Sequence, residues 1–98
     1  MTAPRFSCLI PAWNEAPRIG AVLRAVAGHP LLSEVIVIDD GSTDATAGIA
    51  REAGATVLHL PGNTGKTGAL IGGIAAATGS HLVLIDADLL GLRAFDIT

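Results

Sequence analysis

Short apolar runs alternate with stretches of helical spacing along this chain, and that alternation constrains its fold more than any other feature. The runs are residues 6–10, 34–39, 56–60 and 81–85. Each is too short for a helix, rich in Val, Ile and Leu, and bounded by Gly, Pro, Asn or Asp, which is how buried strands read. Between them apolar residues recur at helical intervals: Ile19, Val22, Leu23 and Val26, then Thr46, Ile49, Ala50 and Ala53, then Leu70, Ile71, Ile74 and Ala75. The order is β-α-β-α-β-α-β. Strands separated by single helices pair in parallel through right-handed crossovers. The expectation is a Rossmann-like α/β sheet, built as one domain over residues 1–98.

Local signals sharpen the boundaries. Pro11 is expected to close the first strand, Asn14 to cap the first helix with Pro17 in its first turn, and Gly28, His29 and Pro30 to end it. Ser42 or Asp44 suits the cap of the second helix, and Gly54 its C′ position. The third helix is expected over residues 66–78. Its internal Gly72 and Gly73 each cost about 1 kcal/mol relative to alanine, which close packing on the sheet would offset. Residues 89–98 carry no firm pattern.

Composition removes several classes of function. Half of the 98 residues are hydrophobic and 15% are charged, so a core is expected and disorder is not. The aromatic residues are Phe6, Trp13 and Phe95, which makes that core aliphatic and tightly packed. Net charge is −3 and the six Lys and Arg are scattered, against a nucleic-acid footprint. Cys8 is the single cysteine; it stands in an apolar run and reads as a small buried hydrophobe. His29, His59 and His81 form no metal spacing and read as structural. No run approaches the ~18 apolar residues of a membrane span, and no signal peptide is evident. A cytoplasmic domain is expected, peripheral to the membrane if its substrate is a lipid.

In a parallel sheet every strand ends at the same edge, where ligands of open α/β sheets bind. That edge would carry residues 11–15, 39–44, 61–66 and 86–88. Asp86 and Asp88, one residue apart at a strand end, can both reach a hard divalent cation, or can simply be a polar strand end. Of Asp39 and Asp40, one can fix the turn through the Gly41 and Ser42 N–H groups, leaving the other to accept hydrogen bonds from a ligand; an Asx-turn with an N-cap would explain much of the motif without a ligand. Trp13 offers a flat ring for a nucleobase or a plug for the sheet edge. Glu15 can meet a ligand or favour a helix N-terminus. Lys66 is not a P-loop lysine, because that pattern needs a glycine where Leu60 stands. It nevertheless falls at a helix N-terminus, a place for phosphate.

Taken in order, IPAWNE, VIVIDDGSTD, N-x-G-K-x-x-A-L and LIDADL resemble the N-terminal half of the family 2 glycosyltransferases, which have the GT-A fold and include dolichyl-phosphate mannose synthase-like and glucosyl-3-phosphoglycerate synthase-like enzymes. The resemblance covers about residues 5–90. It implies a donor site for a nucleotide-diphospho-sugar, a UDP- or GDP-sugar. Pro11, Ala12, Trp13 and Glu15 would contact the nucleotide, and Asp39 and Asp40 the base and ribose. Asp86, Ala87 and Asp88 would form the DxD motif, with Asp86 and Asp88 holding Mg²⁺ or Mn²⁺. Lys66 would lie near the nucleotide. Thr67 stands where the family usually has glycine. The resemblance further implies transfer to an acceptor hydroxyl with inversion. It assigns the acceptor site and catalytic base to a C-terminal half that nothing after Leu89 matches, and a truncated sheet would leave an open edge prone to self-association. A sugar nucleotidyltransferase would want a Gly-rich, Arg-containing loop after the first strand, which PAWNEAP is not. A non-catalytic nucleotide-sugar-binding domain stays open as the alternative.

Overall fold

The structure, a computed structural model, describes residues 4–62 and 64–87; Asp88 and residues 89–98 lie outside them. Its elements follow the expected alternation: β1 (Phe6–Ala12), α1 (Ala16–Ala27), β2 (Leu32–Asp39), α2 (Thr46–Glu52), β3 (Thr56–His59), α3 (Gly65–Ala76) and β4 (His81–Leu84). The four strands form one sheet in the order β3-β2-β1-β4, and each pairing is parallel.

Side chains alternate across the sheet, so each strand feeds two cores. On one face Cys8, Ile10 and Val37 pack with Ile19, Val22, Leu23 and Val26 of α1 and Ala50 of α2. All four expected core positions of α1 are buried. On the other face Leu9, Ile36 and Ile38 meet Ala69 of α3. Cys8 is the buried hydrophobe expected, and burial pushes its thiol up to about 11. No described helix is long and apolar enough to cross a membrane.

Several boundaries differ from the sequence expectation, for physical reasons. β1 runs through Pro11 to Ala12 rather than closing at Pro11. The Leu9 carbonyl accepts from Ile85 N–H on the β4 side (3.1 Å), so Pro11, two residues on, faces the same way. Having no N–H to give, Pro11 ends the β4 ladder at the Leu9–Leu84 pair, while the β2 ladder continues to Ala12–Asp39. Asn14 does not cap α1: it takes φ +51°, and Glu15 occupies the cap position without a side-chain cap bond. Neither Ser42 nor Asp44 is the cap residue of α2, which is Ala45. Gly54 does follow that helix with φ +90° and donates its N–H to the Arg51 carbonyl.

The largest difference lies in α3. Ile71 and Ile74, expected on its buried face, are 64% and 51% exposed, whereas Ala69 and Gly73 are buried. The bulky residues point away because the small ones bring the helix backbone down onto the sheet. A Cβ on Gly73 would stand 2.8 Å from Ile38 Cδ1 and 3.4 Å from Leu9 Cδ1. The close packing expected of the glycine pair is therefore present, at Gly73. β4 forms one edge of the sheet and carries the exposed Leu82 and Leu84.

Candidate functional site

The strand ends converge as parallel pairing requires. At their C-terminal edge a cleft of about 560 Å³ opens between the β1–α1 loop, the end of β2, the start of α3 and the end of β4. Of the residues singled out from sequence, Pro11, Ala12, Trp13, Glu15, Asp40, Lys66, Asp86 and Ala87 line it. Asp39 does not, and Asp88 lies outside the described residues. Gly65 and Ala69, which line the cleft too, were not singled out as site residues, although both belong to the N-x-G-K-x-x-A-L pattern.

Asp39, the last residue of β2, and Asp40, the residue after it, bond to different partners and do different work. Asp39 is 2% exposed. Its Oδ1 accepts the Ser42 N–H (3.0 Å), fixing the turn, and its Oδ2 lies 3.3 Å from His59 Nδ1. His59 Nε2 meets the Arg51 guanidinium, which can only donate. The proton of a neutral His59 therefore sits on Nδ1 and is directed at Asp39. Asp40 turns to the cleft and the start of α3: its Oδ1 accepts from the Thr64 hydroxyl (2.6 Å) and Thr64 N–H (3.3 Å), its Oδ2 from Gly65 N–H (3.1 Å). A carboxylate on the N–H groups that open a helix is favourably placed for the helix dipole.

The β1–α1 loop is held from outside itself. Asn14 N–H donates to Ser42 Oγ (2.8 Å), Glu15 N–H to Thr46 Oγ1 (2.9 Å) and Ala16 N–H to Asp44 Oδ2 (3.2 Å). In return Asn14 Oδ1 accepts the Thr43 N–H (2.8 Å). The N–H groups at the start of α1 are thus satisfied by the loop that follows β2, which explains why α1 needs no side chain of its own as a cap. The Thr46 hydroxyl first, then the Thr46 and Ala16 N–H groups, hold the Asp44 carboxyl below its usual range. This network fixes the backbone beneath Trp13, which is 60% exposed and free to present its ring to the cleft.

Electrostatically the cleft is lined by three carboxylates, of Glu15, Asp40 and Asp86, against the ammonium of Lys66. Glu15 is paired with Arg18 at 2.7 Å, and Asp86 with Lys66. The described residues contain no group of three or more His, Cys, Asp or Glu able to hold a metal ion. Asp86, half-exposed on the cleft wall, is a suitable single carboxylate for an ion that draws its other oxygens from water and phosphate. Mg²⁺ binds commonly in that way, and the donor set fits it.

Comparison with known proteins agrees with this geometry. Residues 7–91 match the model of the family described as glycosyl transferase family 2. The 4,4'-diaponeurosporenoate glycosyltransferase of Staphylococcus aureus (strain USA300) is 40% identical over 90 residues, covering 87% of this chain and 24% of that protein. Crystal structures of glucosyl-3-phosphoglycerate synthase from Mycobacterium tuberculosis superpose with a TM-score of 0.87 at 33% identity, over 95% of this chain. One is a complex with UDP and another a complex with Mn²⁺ and UDP-glucose. This chain spans 37% of the UDP-bound chain and about a quarter of the Staphylococcus enzyme. The parallel sheet flanked by helices is that of these GT-A neighbours, and with strand order, cleft and family pattern in agreement, the chain belongs to glycosyl transferase family 2.

Proposed function

We propose that this chain is the donor-binding part of a glycosyltransferase that takes a sugar from a nucleotide-diphospho-sugar and transfers it, with inversion, to an acceptor hydroxyl. One observation carries the reading: Trp13, Asp40, Lys66 and Asp86, from four separate segments, line a single cleft at the carboxyl ends of the strands. Trp13 stacks on the base. Asp40, already anchored to the start of α3, orients the nucleoside against that helix. Lys66, in the first turn of α3, meets the diphosphate, where the helix N-terminus adds its own attraction. Asp86 and Asp88 hold Mg²⁺ or Mn²⁺, which when bound neutralises charge on the departing nucleoside diphosphate. Solved relatives that contain Mn²⁺ together with UDP or UDP-glucose support the cation and favour a uridine donor.

The carboxylates of Glu15, Asp40 and Asp86 are each engaged by a partner in this cleft. We therefore place the base that deprotonates the acceptor, and the acceptor site, outside these three carboxylates, consistent with relatives about two and a half to four times as long as this chain. The same engagement favours, as a second reading, a domain that binds nucleotide-sugar without turnover.

Trp13 is the single tryptophan, so its fluorescence reports the cleft directly. Titration with UDP, UDP-glucose and GDP-mannose, with and without Mn²⁺, should quench it for at least one uridine nucleotide, more strongly with metal. If no nucleotide binds, the donor-site reading is wrong. Binding without transfer or hydrolysis in the presence of acceptor hydroxyls would select the second reading.

A further inference from the structure

The two edges of the sheet are finished differently. At β3, Val57 and Leu58 are half-buried against the two cores, and Arg51 of α2 meets His59 at the end of the strand. At β4, Val83 packs against the core beneath α1 and α2, so its neighbours Leu82 and Leu84 face the α3 side. They are 42% and 56% exposed, because α3 rests on β1 and β2 through Ala69 and Gly73 rather than on β4. Gly72 looks toward Leu58 and Leu60 on the β3 side. Successive helix residues turn by about 100°, so Ile74, beyond Gly73, looks toward β4, and it is exposed as well. The backbone is open along the same edge. The His81 and Ile85 N–H groups turn inward to the Arg5 and Leu9 carbonyls (3.0 and 3.1 Å). Backbone groups alternate in direction along a strand, so those of Leu82 and Leu84 turn outward, and among the described residues no strand pairs with them. β4 also holds no Lys, Asp, Glu or Pro of the kind that protects an edge.

We propose that this edge joins two copies of the chain, β4 against β4 in antiparallel pairing about a two-fold axis at Val83. The register follows from the residues that face outward. Leu82 of each copy stands opposite Leu84 of the other, a pairing that exchanges backbone N–H···O bonds in both directions. Opposite residues share a face of the sheet, so the four leucines meet in one row, with Ile74 of each copy beside it. The charges permit the approach. Arg5 and Glu34 both meet Thr78 before the start of β4, and Lys66 pairs with Asp86 past its end. Each end thus carries one charge of either sign, and reversing one strand against the other brings no net charge onto like charge. An edge of four residues with one helix flank is small for a specific interface, so dissociation is expected in the micromolar range.

Sedimentation velocity of the whole chain, free of nucleotide, tests the pairing across micromolar concentrations. The wild type should pass from monomer to dimer and no further, because a two-fold contact closes on itself. Leu82→Lys combined with Leu84→Lys sets ammonium against ammonium and should weaken the dimer about tenfold or more. Leu82→Lys combined with Leu84→Glu sets each ammonium against a carboxylate and should restore much of the association. A wild type that stays monomeric, or that grows into open polymers, would overturn the proposal. So would a dimer indifferent to the double lysine substitution, or a mixed-charge variant as monomeric as the double lysine one. Both substituted positions are exposed, and circular dichroism should show the variants folded. Hydrogen exchange of the wild type needs no variant: protection of the Leu82 and Leu84 amides should rise with protein concentration. Protection already complete in the monomer would assign the edge to another part of the same chain and overturn the second copy as its occupant.

Discussion

Gly41 and Gly62 meet backbone to backbone: a methyl group on Gly41 would stand 2.7 Å from the Gly62 Cα. Gly41 has φ +79° and Gly62 φ +108°, conformations that side chains rarely adopt. The contact joins the loop after β2 to the loop before α3. It sets Asp40, next to Gly41, against Thr64 and Gly65, two and three residues past Gly62. Gly41→Ala combines a left-handed alanine with an overlap against backbone that has no rotamer to change. The expected loss is about 3 kcal/mol, a fall in Tm of roughly 12–24 °C for a chain of this size. Thermal unfolding followed by circular dichroism checks it, and a variant within a few degrees of the wild type would show that the loops yield easily.

The neighbouring glycines of α3 should respond to alanine in opposite directions. A Cβ on Gly72 would lie 3.5 Å from Leu58 Cδ2 and 3.6 Å from Leu60 Cδ2, ordinary contact distances. Gly72→Ala should therefore gain most of the helix propensity difference, about 0.5–1 kcal/mol. At Gly73 the same Cβ would stand 2.8 Å and 3.0 Å from the Ile38 side chain, which is completely buried. Overpacking there costs about 1–3 kcal/mol, which outweighs the propensity gain. Denaturant midpoints of the two single variants test the contrast; equal shifts would mean that α3 does not rest on Ile38 through Gly73.

At the opposite end of the sheet from the cleft, Glu34 ties three segments together. Its Oε2 accepts from the Ser7 hydroxyl (2.5 Å), the Thr78 N–H (2.7 Å) and the Thr78 hydroxyl (3.0 Å). The Ser7 hydroxyl above all, then the Thr78 N–H, lower the Glu34 carboxyl from its ordinary 4.5. A depressed folded-state value means that this stabilisation is present above the unfolded value and is lost as pH falls through the folded one. Stability should decline below about pH 4.5, and Glu34→Gln should lose part of that decline. Glu34 is only half-buried, so the glutamine variant should cost about 1 kcal/mol at neutral pH, below the range of fully buried charged hydrogen bonds. Urea unfolding at pH 7 and pH 3.5 measures both effects; equal pH sensitivity of the two proteins would exclude Glu34 as their origin.

What could be read from the residues, and what could not, divides along the range of the interactions. The strands, helices and shared functional edge follow from local apolar period, and four of the cleft's side chains stood out because each departs from its surroundings: Trp13, Asp40, Lys66 and Asp86. The buried face of α3 was not readable, because apolar spacing draws attention to Ile71 and Ile74 while the contact is made by Ala69 and the backbone at Gly73. Nor were the caps. Asn14 has the chemistry of an N-cap but its side chain bonds across to Thr43, and Asp44 accepts the Thr46 N–H at the start of α2 while its other oxygen reaches Ala16, 28 residues away. Asp39 and Asp40 read as one motif from sequence, and only their partners, Ser42 and His59 for Asp39 and the start of α3 beside the cleft for Asp40, separate a turn-fixing acid from a ligand-facing one.

Those cross-loop bonds lead to the prediction that most directly links folding to the cleft. Thr46 is completely buried although polar. Its hydroxyl accepts the Glu15 N–H at 2.9 Å and donates to Asp44, and so joins α2 to the strand-to-helix turn that carries Trp13 and Glu15. Thr46→Val keeps the shape of the side chain and removes both bonds, leaving the Glu15 N–H without its acceptor. The expected cost is about 1–3 kcal/mol in stability. Loosening the turn should also weaken nucleotide binding several-fold, because Trp13 and Glu15 form one wall of the cleft. Thr46→Ser keeps the hydroxyl and loses a buried methyl, so it should lose some stability yet hold nucleotide almost as the wild type does. Measuring Tm and Trp13 quenching by UDP with Mn²⁺ in both variants separates packing from positioning. Equal loss of affinity in the two would assign Thr46 to packing alone, whereas loss confined to the valine variant would establish the hydroxyl as the group that holds the Trp13 turn in place.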